Sequence, residues 1–305
     1  VRVQPGITGA IVNAHLIKHL KKIGHDPASI NSAMMGGILS NNASGMCCGV
    51  SKNSYHTTKY IRFILPNGKM YSTEFKEDYE RFKNECPEIY TQINLLREKI
   101  ISQPELQNKI REKYKTKNTV GYSVNAFIDY EEPLDILAHV LIGAEGTLGF
   151  IAEAVLNTVT DYPAKSTALL YFNNMYDACQ AITTLIDAGA EAIELMDRAS
   201  LRSVEHIVGM PEIIKTLLEQ AAALLVEFQA NSREEVEIKQ NSFLKKSNEL
   251  LLLVQPEFTQ DAYQQALLWK VRKGMFPSVG AVRARGTTVI LEDIAFPVDK
   301  LGDAI

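Results

Sequence analysis

The sequence has few cysteines, little surplus charge and no long apolar run, and each shortage excludes a class of protein. The four cysteines, two of them adjacent at Cys47 and Cys48, form no C-x-x-C pair and suit neither a disulfide framework nor a zinc site. The longest uninterrupted apolar run, Ala221–Val226, is far too short to span a membrane. A formal net charge of −4 argues against a nucleic-acid partner, which would require a basic surplus.

The rest of the composition is that of an ordinary folded protein. Of 305 residues, 46% are hydrophobic and 22% are charged, and this length is enough for two domains. The cysteine content favours a cytoplasmic setting, with peripheral attachment at the inner face of the membrane as the alternative. No signal peptide or transmembrane segment is apparent. Because the chain begins at Val1 and stops at Ile305 without a closing element, we expect a piece of a longer protein.

Strand and helix patterns alternate, and Asp161–Pro163 is the best candidate for a domain boundary. We expect a first domain at residues 1–162 and a second at 163–305. In the first domain the patterns predict a strand at 1–3, a helix from Val12 to Ile23 and a loop at 27–49. A hairpin turning at Pro66–Gly68 and a charged helical insertion at about 75–117 follow. The last predicted elements of this domain are a buried strand or short helix at 136–142 and a strand at 150–159.

The second domain repeats a strand–helix rhythm, which suggests an antiparallel or mixed sheet with helices on one face. The predicted strands are 167–172, 192–196, 224–229, 250–254 and 287–291, and the predicted helices are 176–188, 200–208, 233–246 and 261–276.

The most informative stretch runs from Asp26 to Gly45 and consists mainly of small residues, Asn and Gly. The paired glycines Gly36 and Gly37 allow the backbone to approach a ligand and expose consecutive N–H groups, which favour anions such as pyrophosphate. The stretch is neither a Walker loop nor a G-x-G-x-x-G fingerprint. A tight structural loop is the alternative explanation.

A second small-residue segment, Gly143–Gly149, has the spacing G-x-x-G-x-x-G and is bounded by apolar segments that we interpret as strands. Two unlike segments of this kind, about 100 residues apart, suggest two walls of one cofactor cleft.

Other candidate residues have ordinary explanations. His15 and His19 have the i, i+4 spacing of metal ligands, but a solvated helix edge is the better interpretation. Cys47 and Cys48 are expected to be small buried residues rather than a redox pair.

Arg272 shares a helical row with Leu268 and Phe276, so its guanidinium is expected to be partly buried and to require an anionic partner. That partner is either a structural carboxylate or a substrate carboxylate. Further polar candidates, for which solvent exposure is the ordinary explanation, are Arg283, Arg285, Glu292 and Asp293.

These motifs together resemble the FAD-linked oxidase family, which has the vanillyl-alcohol-oxidase-type flavin fold. The resemblance is carried by Pro27–Ser29, Gly36–Gly37, Asn41–Gly45, Ile142–Gly149 and the stretch Leu268–Pro297. The subgroup it resembles most is that of D-lactate/D-2-hydroxyglutarate dehydrogenase-like proteins, which carry the insertion and continue into an iron–sulfur region. The implied fold class is α+β, with an FAD-binding αβ domain followed by a substrate (cap) domain with a mainly antiparallel sheet.

The resemblance implies non-covalent FAD and a set of site residues. Those implied to bind the cofactor are Ser32, Gly36, Gly37, Asn41, Asn42, Ser44, Gly45, Glu145, Gly146, Gly149 and Ile151. Arg272 would bind the substrate carboxylate. The family's pyrophosphate loop is expected before Val1, and its metal-binding and general-base segment after Ile305, so no catalytic residue is assigned within this chain.

The implied activity is oxidation of a D-2-hydroxy acid, of the D-lactate or D-2-hydroxyglutarate type, to the 2-oxo acid by hydride transfer to flavin N5. Electrons would pass to a quinone, an electron carrier or a linked iron–sulfur region rather than to NAD. Leu291 stands where mitochondrial-type relatives have a lysine, which leaves the substrate open. The alternatives are oxidase or alkyl-transfer chemistry on the same fold, and a non-catalytic ligand-binding module.

Overall fold

The computed structural model describes residues 1–45, 47–118, 120–270, 286, 296 and 298–304. It divides the chain into two compact units, Val1–Asp161 and Tyr162–Ile305.

The first unit contains a four-stranded antiparallel sheet in the order β1-β5-β3-β4 and a two-stranded sheet, β2-β6. Its strands are β1 (Arg2–Val3), β2 (Lys21–Ile23), β3 (Thr58–Ile64), β4 (Met70–Ser72), β5 (Phe150–Leu156) and β6 (Thr158–Thr160). The predicted hairpin is confirmed, because β3 pairs with β4 around a turn in which Gly68 has a φ of 79°. Phe63 lies opposite Tyr71 in this hairpin, and both side chains are fully buried.

Helices of the first unit share one hydrophobic core with these strands. They are α1 (Gly9–Leu16), α2 (Met35–Ser40), α3 (Ser54–Thr57), α4 (Lys76–Glu85), α5 (Pro87–Ile101), α6 (Pro104–Lys113), α7 (Ala126–Asp129) and α8 (Pro133–Leu141), with a 3-10 turn at Ile17–His19. The helices predicted in the charged stretch are observed as α4–α6. Pro87 and Pro104 begin two of them, at a position where a missing N–H costs nothing. Of the two alternatives for residues 136–142, the helix is observed.

The predicted helix from Val12 to Ile23 is wrong in its second half. Leu20 has a φ of 52°, a left-handed conformation that ends the helical stretch. Residues Lys21–Ile23 then pair with Thr158–Thr160 as β2 and β6, and the predicted single strand at 150–159 is divided into β5 and β6. The N–H of Ile23 also donates to the Asn13 side chain at 2.9 Å. Pairing with the distant strand β6 therefore determines the conformation of Lys21–Ile23, although the local apolar periodicity predicts a helix there.

The second unit is an α+β layer around the antiparallel strands β7 (Ala164–Phe172), β8 (Ala192–Met196) and β9 (Ala222–Ala230), in the order β7-β9-β8. Every residue of the central strand β9 is buried. Its helices are α9 (Met175–Asp187), α10 (Arg198–Val204), α11 (Arg233–Ser247), α12 (residues 262–270, up to the last described residue of that stretch) and α13 (Leu301–Ala304), with 3-10 turns at Glu212–Thr216 and Val298–Lys300.

Helices cover both faces of this sheet, whereas the sequence predicted one covered face. Because successive side chains alternate along a strand, Leu224 packs with residues of α9 and α11, while Leu225 packs with residues of α10 and α12. The predicted strand at 250–254 is also wrong, since Leu252 makes only an isolated bridge with Phe172. The predicted strand at 287–291 lies outside the described residues.

Two histidines of the first unit are buried in neutral form. Burial lowers the pKa of His25 to about 4 and that of His139 to about 4, from an ordinary 6.5. His139 stacks on Tyr130 with ring centroids 3.9 Å apart, and its Nδ1 lies 2.8 Å from the carbonyl of Asp135. Neither ring nitrogen of His25 finds a hydrogen-bond partner among the described residues.

Stability is therefore expected to fall when the pH drops below about 6.5, because the unfolded chain then binds protons that the folded chain binds only near pH 4. Each histidine costs up to about 1.4 kcal/mol per pH unit in this window. We expect His25→Leu to flatten the dependence of the melting temperature on pH between 7 and 5. His206→Gln, at an exposed position, is the control and should leave it unchanged. An unaltered slope in His25→Leu would contradict this account.

Candidate functional site

The structure brings the two small-residue segments of the first unit into direct contact. The Gly143 N–H donates to the carbonyl of Leu39 at 3.2 Å, and the Glu145 N–H donates to the carbonyl of Ser40 at 2.9 Å. The Asn41 side-chain amide donates to Glu145 Oε1 at 2.8 Å. The C-terminal end of α2 and the segment 143–149 therefore form one continuous surface.

Left-handed backbone at two non-glycine residues shapes this junction. Asn42 has a φ of 50° and Glu145 a φ of 52°. Asparagine tolerates this conformation, and the buried Asn42 side chain is held by the Tyr55 N–H at 3.0 Å and by the Asn118 carbonyl at 3.4 Å. Asn42 is therefore a structural residue of the junction, whereas the side chains of Asn41 and Glu145 are exposed.

Three of the predicted cofactor glycines have a structural reason to be glycine. A Cβ at Gly36 would lie 2.8 Å from the Pro5 side chain, and one at Gly149 would lie 2.9 Å from the Ile64 carbonyl. Gly45 has a φ of 146°, and a Cβ there would overlap Asp26. For these positions the structural-loop explanation accounts for the residue type.

The other two glycines of the set, Gly37 and Gly146, face open space. A Cβ at either position would meet no atom within 4 Å. Both residues are exposed and lie in the two segments that the Asn41–Glu145 hydrogen bond joins. They leave the backbone accessible to a ligand, which is the property that a cofactor surface requires.

The remaining predicted cofactor residues lie elsewhere. Ser32 is exposed, and its hydroxyl donates to the Ser29 carbonyl at 3.2 Å in a local turn. Ser44 is buried and accepts the Asp26 N–H through its carbonyl at 3.0 Å. Ile151 is 4% exposed and packs in the core of the unit. The predicted substrate residue Arg272 lies outside the described residues, as do Arg283, Arg285, Leu291, Glu292 and Asp293.

One residue at this surface was not predicted from the sequence. The Tyr122 hydroxyl lies 3.0 Å from Thr147 Oγ1, so this half-exposed tyrosine borders the second segment. It follows the helical insertion in a stretch without a motif, and no pattern in the sequence indicated it.

The exposure of His15 and His19 and the burial of Cys48 agree with the sequence interpretation, whereas Cys47 is only partly buried. His15 and His19 are exposed, and the described part of the chain holds no group of three or more side chains suited to a metal ion. All four cysteines are free thiols. Burial, with the nearby charge of Asp26, raises the pKa of Cys48 to about 11, which makes its thiol a poor nucleophile.

The second unit has a cavity of about 610 Å³ between β7, the turn at 209–213, the segment 254–259 and α12. Leu169, Tyr171 and Leu268 line it, and its acidic residues are Glu212 and Glu257. None of its described lining residues is a lysine or arginine, so these residues do not favour a carboxylate ligand.

The surface of Gly37, Asn41, Glu145 and Gly146 fits part of a flavin dinucleotide. It combines exposed backbone at two glycines with an amide donor and a carboxylate acceptor, as a ligand with hydroxyl and ring N–H groups requires. Neither segment contains a lysine or arginine, so backbone N–H groups or residues elsewhere must balance the pyrophosphate charge.

Two family profiles match parts of the chain. Residues 1–74 match the profile described as FAD binding domain, and residues 162–305 match that of FAD linked oxidases, C-terminal domain. The chain belongs to the FAD-linked oxidase family. Its cofactor, predicted from the sequence as FAD, is confirmed by the first of these matches.

The flavoprotein has similar relatives named as dehydrogenases. It is 22% identical to D-2-hydroxyglutarate dehydrogenase of Haemophilus influenzae over all of this chain and 31% of that protein. It is 27% identical to D-lactate dehydrogenase [cytochrome], mitochondrial, of Arabidopsis thaliana, over 55% of this chain and 29% of that protein. The chain thus spans about a third of the length of the curated relatives that it matches.

A solved alkyldihydroxyacetonephosphate synthase shares the fold, with a TM-score of 0.58 at 15% identity over 92% of this chain and 42% of that one. The α+β flavin fold of the vanillyl-alcohol-oxidase type, predicted from the sequence, is confirmed. Across the described residues, no helix combines the length and apolar character needed to span a membrane.

Replacement by alanine should change the stability of the folded chain differently at a closely packed glycine and at a glycine that faces open space. We expect Gly45→Ala to destabilise the folded chain by about 3 kcal/mol or more, because the left-handed φ and the Asp26 overlap both oppose it. Gly37→Ala, in a helix with open space around it, should stabilise the chain by up to about 1 kcal/mol. Urea denaturation measures both, and equal effects at the two positions would contradict the distinction.

Proposed function

We propose that this flavoprotein oxidises a D-2-hydroxy acid, of the D-lactate or D-2-hydroxyglutarate type, to the 2-oxo acid. The observation that carries the proposal is the match of the whole chain, both units in order, to relatives named D-2-hydroxyglutarate dehydrogenase. The match to D-lactate dehydrogenases over 55% of the chain supports the same class of substrate.

In this proposal the two units have separate tasks. The first unit, with the surface of Gly37, Asn41, Glu145 and Gly146, binds FAD, and the second unit binds the substrate. The buried residues Asn42, Ser44 and Ile151 then support this surface from within the unit. The exposed Ser32 is assigned a contact with the cofactor. Bound FAD would accept the hydride from C2 of the hydroxy acid.

The substrate carboxylate is assigned to Arg272, because a guanidinium fork matches a planar carboxylate with two parallel hydrogen bonds. The base that takes the hydroxyl proton is assigned to sequence beyond Ile305. We assign the electrons to a quinone, an electron carrier or a linked iron–sulfur region, and the protein to the cytoplasm with peripheral membrane attachment as the alternative.

Alkyl transfer on the same fold is the second candidate, favoured by the likeness to alkyldihydroxyacetonephosphate synthase. At 15% identity that likeness concerns the fold, and a shared fold hosts several reactions. The dehydrogenase proposal has the advantage that its relatives match in sequence across the whole chain.

An anaerobic titration tests the proposal. The full-length chain loaded with FAD should lose its absorbance near ~450 nm when D-lactate or D-2-hydroxyglutarate is added, because the hydride reduces the flavin. L-lactate is the matched control and should leave the spectrum unchanged. In air, the same reaction should yield little peroxide. A bound flavin that neither D-acid reduces would contradict the proposal, and abundant peroxide would favour an oxidase.

The residue assignment has its own test. We expect Gly37→Ala to bind FAD at least about tenfold more weakly than the unchanged chain while remaining folded, because its methyl group occupies the open face. Gly68→Ala, at a turn also open around the Cβ position, is the control. Its left-handed φ of 79° lowers the stability of this variant, but the folded chain should bind FAD normally. Unchanged FAD affinity in Gly37→Ala would remove this glycine from the cofactor surface. Flavin fluorescence titration measures the affinity.

A further inference from the structure

The segment 120–124 follows the helices α4–α6 and contacts the turn 144–147 of the proposed cofactor surface. In that turn the N–H and the hydroxyl of Thr147 both donate to the Ala144 carbonyl, at 3.0 and 2.6 Å. Because the Thr147 hydroxyl has a single proton, its 3.0 Å contact with the Tyr122 hydroxyl is a hydrogen bond that Tyr122 donates. Tyr122 is therefore held beside the residue that closes the turn.

The chain that leaves these helices is attached to both small-residue segments. The Ser123 hydroxyl, which is buried, donates at 2.7 Å to the carbonyl of Ile142, the residue directly before Gly143. The Asn42 side-chain amide, from the first segment, donates to the Asn118 carbonyl at 3.4 Å. These bonds connect one stretch of backbone to the two segments that already contact each other.

Tyr114, which immediately follows α6, holds the segment 120–124 in place. Its hydroxyl donates to the Tyr122 carbonyl at 2.9 Å and accepts the Val124 N–H at 3.0 Å. One side chain thus pairs with backbone groups on both sides of Ser123. The position of Tyr122 is therefore set both by Thr147 and by the end of the last inserted helix.

The aromatic ring of Tyr122 remains accessible at this border. Tyr122 is 46% exposed although its hydroxyl and its backbone carbonyl are both hydrogen-bonded, and Val120 and Val124 on either side of it are exposed as well. A ring that is fixed at its polar end loses little freedom when a second ring packs against it. FAD has two planar ring systems. The four residues assigned to its surface supply backbone and polar groups but no aromatic side chain.

We propose that the segment 120–124 is a third wall of the FAD site, in which the Tyr122 ring packs against a ring system of the cofactor. Tyr114 is a positioning residue of this wall, because it acts through the backbone of Tyr122 and Val124. The inference rests on the proposed function, in the part that assigns FAD to the first unit, and it assigns no contact with the hydroxy acid.

Replacement of Tyr122 in the full-length chain tests the contact. Tyr122→Ala removes the ring and should weaken FAD binding about tenfold, whereas Tyr122→Phe keeps the ring and should stay within about threefold. Leu96→Ala is the matched control, because Leu96 on α5 is 49% exposed and lies outside the cofactor surface. It should bind FAD normally. Flavin fluorescence titration measures the affinities.

Competition against FAD identifies the ring system. In Tyr122→Ala, a loss of affinity confined to FMN assigns the contact to the isoalloxazine ring, and a loss confined to ADP assigns it to the adenine ring. Either result supports the third wall. Unchanged affinity for both competitors would overturn the contact.

Tyr114→Phe tests the positioning role. It removes one hydroxyl and with it both hydrogen bonds to the segment 120–124, so FAD binding should weaken about fivefold. Tyr79→Phe is the matched control. Tyr79 lies on α4, and its hydroxyl is 3.1 Å from the Thr73 carbonyl and 2.8 Å from Asp135 Oδ1. It makes neither hydrogen bond to the segment, and this variant should stay within about twofold.

Hydrogen exchange supplies a readout that a general change in stability would not reproduce. In the unchanged chain, FAD should slow amide exchange in a peptide that covers 120–124. This protection by FAD should decrease in Tyr114→Phe and persist in Tyr79→Phe. Equal protection in both variants would overturn the positioning role.

The failures are distinguishable. If Gly37→Ala weakens FAD binding and Tyr122→Ala does not, the third wall is overturned while the proposed cofactor surface stands. An equal loss in Leu96→Ala would overturn it as well, since the effect would then be a general loss of stability. If neither Gly37→Ala nor Tyr122→Ala changes the affinity, the proposed surface fails, and the third wall fails with it. Weakened FAD binding in Tyr122→Ala supports the wall even if no hydroxy acid reduces the flavin.

Discussion

The contact between α2 and the segment 143–149 is the constraint on which the cofactor surface of the first unit depends. Two backbone hydrogen bonds and the Asn41–Glu145 side-chain bond join residues that are about 100 positions apart in the sequence. The contact requires left-handed backbone at Glu145, which costs about 1 kcal/mol for a non-glycine residue and is offset by the hydrogen bonds of that residue. Without it, Gly37 and Gly146 would not lie on one surface.

The same residue type serves two purposes along this surface. Gly36, Gly45 and Gly149 permit close packing against Pro5, Asp26 and Ile64, and so build the junction. Gly37 and Gly146 leave space where a ligand can approach. The structural-loop explanation therefore accounts for Gly36, Gly45 and Gly149, while contact of Gly37 and Gly146 with the cofactor is the proposal. In the second unit, Glu227 on β9 is buried and accepts hydrogen bonds from the side chains of Thr167, Gln229 and Trp269.

Local signals in the sequence predicted the elements that local interactions determine. Prolines marked the starts of α5 and α6, and the strand Ala192–Met196 has the predicted bounds. Elements that depend on distant partners were missed, as with β2, whose partner β6 is near the end of the unit. The apolar run at 250–254 has the composition of a strand, yet Leu251 is 65% exposed and the run makes a single bridge.

The site shows the same division. Residue type and spacing identified the motif glycines. Whether a given glycine is required for packing or faces open space depends on neighbours such as Pro5 and Ile64, and no spacing rule connects these neighbours to the motif. Tyr122 was not predicted, because a single tyrosine after a helical stretch is not a recognisable pattern.

The central claim is that the two segments form one FAD-binding surface, and hydrogen exchange with and without FAD tests it most directly. In the full-length chain, FAD should slow amide exchange in peptides covering 35–45 and 143–149 together, while peptides of the insertion at 76–113 keep their rates. Slowing in only one of the two segments, or in neither, would contradict the account.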